Sequence, residues 1–376
     1  MGSCRCGKCL GVLVVATAIL IGFLHSDSSA RLLKYIDELE NDRGKRYMGM
    51  VPALHYGSPW GFTHNELSKL DLSEHIAVIT GANSGLGYWT AYHLANRGAE
   101  VVLACRSKQK CDHSVQRLQN TVGKNCKVSG MGLDLASFSS IRKFAREFEG
   151  KYGSRGLDIL ILNAGILAPP FSLTDDGIES TMGVNHFGHF LLTKLLLPQL
   201  LKVADENAKG IATVVAVSSA GNFDTPPGGV FTTIEQINNE SNYNRKKTYG
   251  MSKLANILFA QELSDRYKDR NILVNAVHPG AVVTDIARNI IDMVPTEYGR
   301  TVFRAAYEGL VQKLLWTAED AALTQLFAAV SPVLKKSKTT GKYFHPIARP
   351  THPDPHAFNY TLQKKLWVLS EQVTAM

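Results

Sequence analysis

The sequence has no run of basic residues interleaved with aromatics and no cysteine–histidine spacing of a zinc finger. Both absences count against a nucleic-acid partner, although a formal charge of +8 would by itself suit nucleic acid, membrane or phosphate. No internal repeat or low-complexity tract interrupts the chain. Cysteine is scarce: Cys4, Cys6 and Cys9 crowd the N-terminus, leaving only Cys105, Cys111 and Cys126 in the body. An odd number in the folded part argues against a disulfide framework and predicts free thiols in a reducing compartment. No charge-free apolar stretch at the N-terminus reaches the roughly 20 residues of a comfortable bilayer span. What remains is an ordinary globular composition, 45% hydrophobic and 20% charged, enough to bury a sizeable core.

Residues 10–24 (LGVLVVATAILIGFL) carry no charge and follow Arg5 and Lys8. Three readings stand open: an uncleaved membrane anchor in a tilted or thinned-bilayer span, a signal segment, and a buried helix. Ser28 and Ala30 offer small residues at −3 and −1 of a cleavage site. The anchor reading puts the protein on a membrane, with the endoplasmic reticulum expected; cleavage would make it secreted or luminal. Gly2 opens a myristoylation-like start, but Cys6 stands where Ser or Thr is wanted. Acylation of Cys4, Cys6 and Cys9 fits better, and three unmodified thiols fit equally. The expected organisation is residues 1–30 as anchor or signal, 31–74 as an amphipathic linker, 75–350 as the single catalytic domain, and 351–376 as a C-terminal tail.

Within the body, short β-branched runs alternate with helical patterns. Residues 76–80 (IAVIT), 100–105, 128–133, 157–162, 211–217 and 272–277 read as strands buried on both faces. Segments 86–97, 138–152, 188–201 and 253–267 are apolar at helical spacing. Right-handed crossovers then give an α/β, doubly wound, Rossmann-type sheet, mostly parallel, with helices on both faces and ligands at the carboxyl ends of its strands.

The first strand runs into Thr80-Gly81-Ala82-Asn83-Ser84-Gly85-Leu86-Gly87, followed by a helix. Gly81 permits a tight turn, Gly85 a close approach to a pyrophosphate, and Gly87 close helix–strand packing. The helix start adds free N–H groups and a positive dipole. The ordinary alternative is a plain strand–turn–helix connection. Past the second strand stands Arg106, with Lys108 and Lys110 behind it, where readers of an NAD ribose carry an acid. A cation there favours NADP. Asp134 and Asn163 follow the third and fourth strands, within reach of the same cofactor.

A tyrosine four residues before a lysine puts both on one helix face. The ammonium can then stabilise a phenolate whose ordinary pKa is about 10. The spacing occurs three times, at Tyr243/Lys247, Tyr249/Lys253 and Tyr360/Lys364, so context must choose. Tyr243 lies in a polar stretch that reads as a solvated loop, and Tyr360 lies in the tail. Tyr249 opens an amphipathic helix between two core strands and follows Ser218-Ser219 at a strand end. Asn185, in VNHFGHFLLT, begins a helix and can anchor a water linked to the lysine. His186, His189 and His278 are not spaced as a metal site; packing and supporting roles are expected, with no metal required.

Together TGANSGLG, ACR, DLAS, LNAG, NHFGHFLLTKLLLP, VSS, YGMSKLAN and HPGAVVTD resemble the short-chain dehydrogenase/reductase family, over residues 74–343, and more narrowly its retinol-dehydrogenase-like branch. The resemblance implies Tyr249 as general acid/base, Lys253 lowering its pKa and holding the nicotinamide ribose, and Ser219 orienting the reacting oxygen. It implies Asn185 on the relay water, Thr284 near the nicotinamide amide, and NADP(H) for the Arg106 position. Two departures stand out: Leu162 replaces one of a usual asparagine pair, and the 31–71 segment is longer than the branch's leader. The expected reaction interconverts a lipophilic alcohol and its aldehyde or ketone, such as a retinoid, steroid or fatty aldehyde. Carbonyl reduction is the expected direction, given mostly reduced cytosolic NADPH. Apolar residues such as Ile286, Ile290, Met293, Phe303 and Leu314 either line that substrate's pocket or pack on the sheet. Alternatives are a double-bond reductase on the same fold and a catalytically silent NADP-binding scaffold; a homodimer is compatible.

Overall fold

The computed structural model describes residues 62–206, 210–282, 296, 297, 300, 301 and 315–375. The 10–24 run, the helical pattern after residue 31, Thr284 and most of the 283–316 segment lie outside the described residues. No helix among those described is long and apolar enough to cross a membrane.

Six strands form where the β-branched runs place them: β1 Ile76–Thr80, β2 Glu100–Cys105, β3 Val128–Gly132, β4 Ile159–Leu162, β5 Ala212–Val217 and β6 Ile272–Val277. Tyr343–His345 and Arg349–Pro350 add β7 and β8. The order is β3-β2-β1-β4-β5-β6-β7-β8, parallel throughout except for the last pair. β1, β4, β5 and β6 are buried at every residue, as strands covered on both faces must be. β3 closes one edge and is only partly buried.

The helices that matter here are α1 His64–Ser68, α2 Gly85–Ala95, α3 Lys108–Val122, α4 Phe138–Tyr152, α5 Gly188–Glu206, α6 Arg245–Arg266, α7 Ala318–Val330 and α8 Tyr360–Ala375. The period of two along β1 divides the core. Ile76 and Val78 face a cluster with Phe144, Phe148, Leu196 and Leu258, whereas Ala77 and Ile79 face one with Leu94, Leu118 and Phe327. One layer is therefore α4, α5, α6 and α8, and the other α2, α3 and α7. Side chains such as Phe144 and Phe148, fully buried one turn apart, each contribute about 1.5–3 kcal/mol by leaving water.

Chain order reverses at β1, which has β2 on one side and β4 on the other. The crossovers diverge there and open a crevice at the strands' carboxyl ends. Both flanks of the domain are drawn into the core. Phe62, Leu67 and Leu72 of the expected linker are buried, as are Leu362, Leu366, Trp367 and Val373 of the expected tail.

Three expectations need correction. Cys105 and Cys111 form a disulfide, their Cα atoms 5.8 Å apart, and among the described residues only Cys126 is a free thiol. An odd count speaks to frameworks, not to a local pair at a strand end and the helix that follows it. Tyr243 is half-buried although its stretch is largely exposed: its hydroxyl donates to the Pro169 carbonyl and its ring meets Phe171 edge-on at 5.4 Å. α6 starts before Tyr249, because the Asn244 side chain accepts from the Lys247 N–H and caps it.

Candidate active site

The glycine-rich turn joins β1 to α2. Gly81 has φ +66° and Gly85 φ +52°, conformations that glycine adopts without strain. A Cβ on Gly87 would lie 2.5 Å from the Gly81 carbonyl oxygen and 2.7 Å from Asn163 Nδ2, so the helix sits as close as glycine allows. Ser84 caps α2 without a side-chain hydrogen bond, leaving first-turn N–H groups to an anion. The turn therefore fits a dinucleotide's phosphates. Asn83 offers its carbonyl to the Ser114 hydroxyl at 2.9 Å, and Leu86 packs on the α2-side core. Arg106, at the end of β2, is exposed. Lys108 is drawn to Asp112 at the start of α3. Asp134 follows β3 and accepts from the Ala136 N–H through Oδ1 at 2.9 Å.

Asn163 works inside the turn. Its Nδ2 donates to the Thr80 carbonyl at 2.9 Å, and its N–H to Thr80 Oγ1 at 2.9 Å. The Ala164 N–H donates to the same oxygen, so the Thr80 hydroxyl is left to donate to His189 Nε2 at 2.9 Å. His189 Nδ1 then carries the proton and donates to the Asn185 carbonyl at 3.1 Å. Burial holds this imidazole neutral by lowering its pKa to about 4. Thr80 and His189 thus join the cofactor turn to the Asn185 turn. Sequence reasoning gave His189 a supporting role and missed Thr80, whose place at a strand end gives no signal by itself.

Asn185 lies in a π-helical turn, Gly183–Phe187, that runs into α5. Extra-residue turns of this kind redirect a side chain at functional sites. Its Oδ1 accepts from the Ile166 N–H at 2.8 Å, and its Nδ2 donates to the Ile166 carbonyl and the Ser252 hydroxyl, each at 3.0 Å. Gly165 marks the meeting point, since a Cβ there would stand 3.2 Å from Asn185 Oδ1 and 3.3 Å from Lys253 Nζ.

Tyr249 and Lys253 stand one turn apart on α6, with the ammonium 5.6 Å from the phenol ring's centre. Lys253 is buried and donates to the Val217 carbonyl at 3.1 Å. Burial lowers its pKa to about 8. Burial raises the Tyr249 phenol, and hydrogen bonding to Ser219 pulls it partly back. In this structure the hydrogen bond that lowers the phenol's pKa comes from Ser219, while Lys253 Nζ bonds the strand carbonyl. Ser219 Oγ and Tyr249 Cε1 flank Gly221, where a Cβ would lie 3.5 and 3.0 Å from them. Ser218 turns the other way, onto the Lys253 carbonyl.

Of the predicted site residues, the fold gathers Asn185, Ser219, Tyr249 and Lys253 beside the glycine-rich turn. The decoy Tyr360 is exposed at the start of α8, and its neighbour Lys364 pairs with Glu262 at 2.8 Å. His186 is buried against the Ser370 hydroxyl at 2.8 Å, and His278 against the His345 ring.

Comparison with known proteins agrees with this geometry. The short chain dehydrogenase family matches residues 75–295. Human retinol dehydrogenase 13 is 34% identical over 310 residues, covering 82% of this chain and 87% of that protein. Human retinol dehydrogenase 14 is 33% identical over 346 residues, covering 88% and 93%. A crystal structure of an uncharacterized protein from Mycobacterium paratuberculosis superposes with a TM-score of 0.61 at 32% identity, covering 82% of this chain and 97% of that one. The chain belongs to the short-chain dehydrogenase family, in its retinol-dehydrogenase-like branch, whose members are oxidoreductases built on a nicotinamide-binding fold.

Proposed function

We propose that the protein is an NADP(H)-dependent oxidoreductase interconverting a lipophilic alcohol and its aldehyde or ketone. The observation that carries this reading is the convergence of Asn185, Ser219, Tyr249 and Lys253 beside a glycine turn fitted to phosphates. When bound, the nicotinamide supplies or takes up the hydride. In reduction, Tyr249 gives a proton to the substrate oxygen while the Ser219 hydroxyl holds that oxygen. In oxidation, the phenol receives the proton instead. Lys253 offers an ammonium beneath the phenol, and Asn185, whose amide hydrogens are both engaged, offers the second lone pair of its side-chain carbonyl oxygen near that ammonium for a relay water. Gly81, Gly85 and Gly87, with the N–H groups of α2, would hold the pyrophosphate, and Asp134, which follows β3, would meet the adenine. Thr284 is assigned to the nicotinamide amide on the resemblance alone.

An exposed guanidinium at Arg106, in place of an acid, supports the NADP preference. The retinol dehydrogenase names of the relatives support a retinoid or another long apolar substrate, delivered at a membrane by the 10–24 anchor. The direction we assign is carbonyl reduction. The test is NADPH oxidation by the membrane-bound protein with retinal, steroid and fatty-aldehyde panels, with products identified. Alcohol from one panel is expected. A saturated product that keeps its carbonyl would make it a double-bond reductase, and NADPH binding without any turnover would make it a scaffold.

A further inference from the structure

A second cluster of chemistry-bearing side chains lies away from the hydride-transfer site, and neither the family match nor the proposed reaction uses it. His64 of α1, His93 near the far end of α2 and Glu319 in the first turn of α7 bring three donor atoms within 4.8 Å of one another. His93 stands eight residues beyond Gly85, about 12 Å along the helix from the phosphate-binding turn. We propose that His64, His93 and Glu319 bind a zinc-class divalent transition cation that clasps the leading segment onto the catalytic domain.

Four observations support the site. His93 Nε2 is buried and has no hydrogen-bond partner, a costly state for an imidazole nitrogen and the one expected of a ligand. Glu319 Oε1 is 3.5 Å away, too poorly placed to satisfy it by a hydrogen bond but close enough to share a metal ion with it. The His64 and His93 rings approach to 5.1 Å between centres at a 35° tilt. Asp320 then adds a second carboxylate, its Oδ1 3.1 Å from His64 Nε2, as an outer-shell acceptor orienting a ligand imidazole. Two imidazoles and a carboxylate are a zinc-type donor set, with a water completing four-coordination. The Tyr92 and Trp89 rings, 5.1 and 6.3 Å from His93, wall the cluster on one side. The ordinary reading, two independent histidine–carboxylate pairs, accounts for His64 and Asp320 but leaves His93 Nε2 unsatisfied.

The placement says what such an ion would do. α1 precedes the first strand, α2 carries the cofactor turn, and α7 lies between β6 and β7 in the chain. One cation would tie these three elements at the end of the domain remote from the chemistry. Its role is therefore structural, and its test does not depend on turnover.

The full-length protein, stripped with a chelator, is titrated with Zn²⁺ by calorimetry and with Co²⁺ by absorption. One equivalent is expected to bind, with visible Co²⁺ ligand-field bands, no thiolate charge-transfer band and a raised melting temperature. The double variant His64→Gln/His93→Gln is expected to weaken binding beyond the roughly 10- to 100-fold cost of losing an outer-shell partner. Asp320→Asn is expected to fall within that range. If the double variant does not fold, Glu319→Gln decides, with at least tenfold weaker Co²⁺ binding expected. Failure of the stripped wild type to bind Zn²⁺ overturns the proposal. So does Co²⁺ affinity unchanged in the folded double variant or in Glu319→Gln. A thiolate band would assign binding to Cys4, Cys6 and Cys9 instead, and would overturn it as well.

Discussion

The hydroxyl of Ser218 donates to the backbone carbonyl of Lys253 at 2.7 Å, so the last residue but one of the Val-Ser-Ser stretch serves α6 and not the cleft. Its neighbour Ser219 alone presents a hydroxyl beside Tyr249. The two serines should separate cleanly. Ser219→Ala is expected to lower kcat by roughly 100- to 1000-fold, the range for removing one donor to a developing oxyanion. Ser218→Ala should cost about 1 kcal/mol of stability, seen in denaturant titration, with much smaller loss of turnover. The reverse ranking would exchange their roles.

Tyr249→Phe keeps the ring that packs on Gly221 and removes the hydroxyl that carries the exchangeable proton. Turnover should fall by roughly 100- to 10,000-fold, the usual worth of a positioned acid/base. NADPH affinity, followed by fluorescence titration, should change less than about threefold, since the phosphate-binding turn is untouched. Full activity in this variant would leave the proton-transfer assignment without support.

The pH profile follows from two opposed effects of burial. Lys253 is lowered from an ordinary 10.5 to about 8, while the phenol of Tyr249 is raised. The phenol therefore stays protonated through neutrality, and the first group to lose its proton is the ammonium. Reductive kcat/KM should be flat below about pH 7 and fall above about pH 8, approaching tenfold per unit. The stability sign is the opposite. Below about 8 the folded protein carries a buried ammonium at a cost, and that cost fades as pH rises from about 8 towards 10.5. A bell centred well above 9 would contradict both assignments.

The parts legible in the sequence are those fixed by local pattern. Strands such as Ala212–Val217 are buried on both faces and must be apolar throughout, so each announces itself. β7 and β8 are three and two residues long, too short for any period, and were invisible. The helix on residues 360–375 had its signal, since Leu362, Leu366, Leu369 and Val373 recur at helical spacing. Its place after the last recognised strand disguised it as a tail. The grouping of the candidate residues was legible because Ser219 follows the end of β5 and Tyr249/Lys253 share one face of α6, each within its own motif. The Thr80–His189 link and the His64, His93 and Glu319 cluster were not, because distant elements bring them together and no spacing encodes that.

Arg106 is exposed at the end of β2, beside the Cys105–Cys111 disulfide and the capped start of α3. Nothing buried depends on it, so Arg106→Asp should leave the melting temperature unchanged. NADPH binding should weaken by roughly 10- to 100-fold, the worth of a charge-assisted hydrogen bond to the 2′-phosphate. NADH binding should move by far less, because its ribose hydroxyls tolerate an acid. The ratio of the two Kd values is the measurement. A parallel fall in both would remove Arg106 from the specificity argument.

Topology can be read from two acceptor sequons, Asn239-Glu240-Ser241 and Asn359-Tyr360-Thr361, whose asparagines are exposed. Both keep Oδ1 engaged with a local backbone N–H, from Ser241 at 2.9 Å and Leu362 at 3.0 Å. With residues 10–24 as the proposed anchor and cytosolic NADPH as the proposed reductant, the catalytic domain would face the cytosol, and neither asparagine should carry a glycan. The Cys105–Cys111 pair points the other way, since disulfides persist in oxidising compartments. The decisive experiment expresses the full chain beside a version sent into the lumen by an added cleaved signal, and treats both with endoglycosidase. The luminal control should lose mass on treatment, which proves that a sequon is usable, while the native chain should not. In that outcome the cysteine pair should also be reduced in cells, measurable by thiol alkylation before lysis. A glycan on the native chain would place the domain in the lumen, keep the disulfide, and remove the cytosolic reductant on which the assigned direction rests.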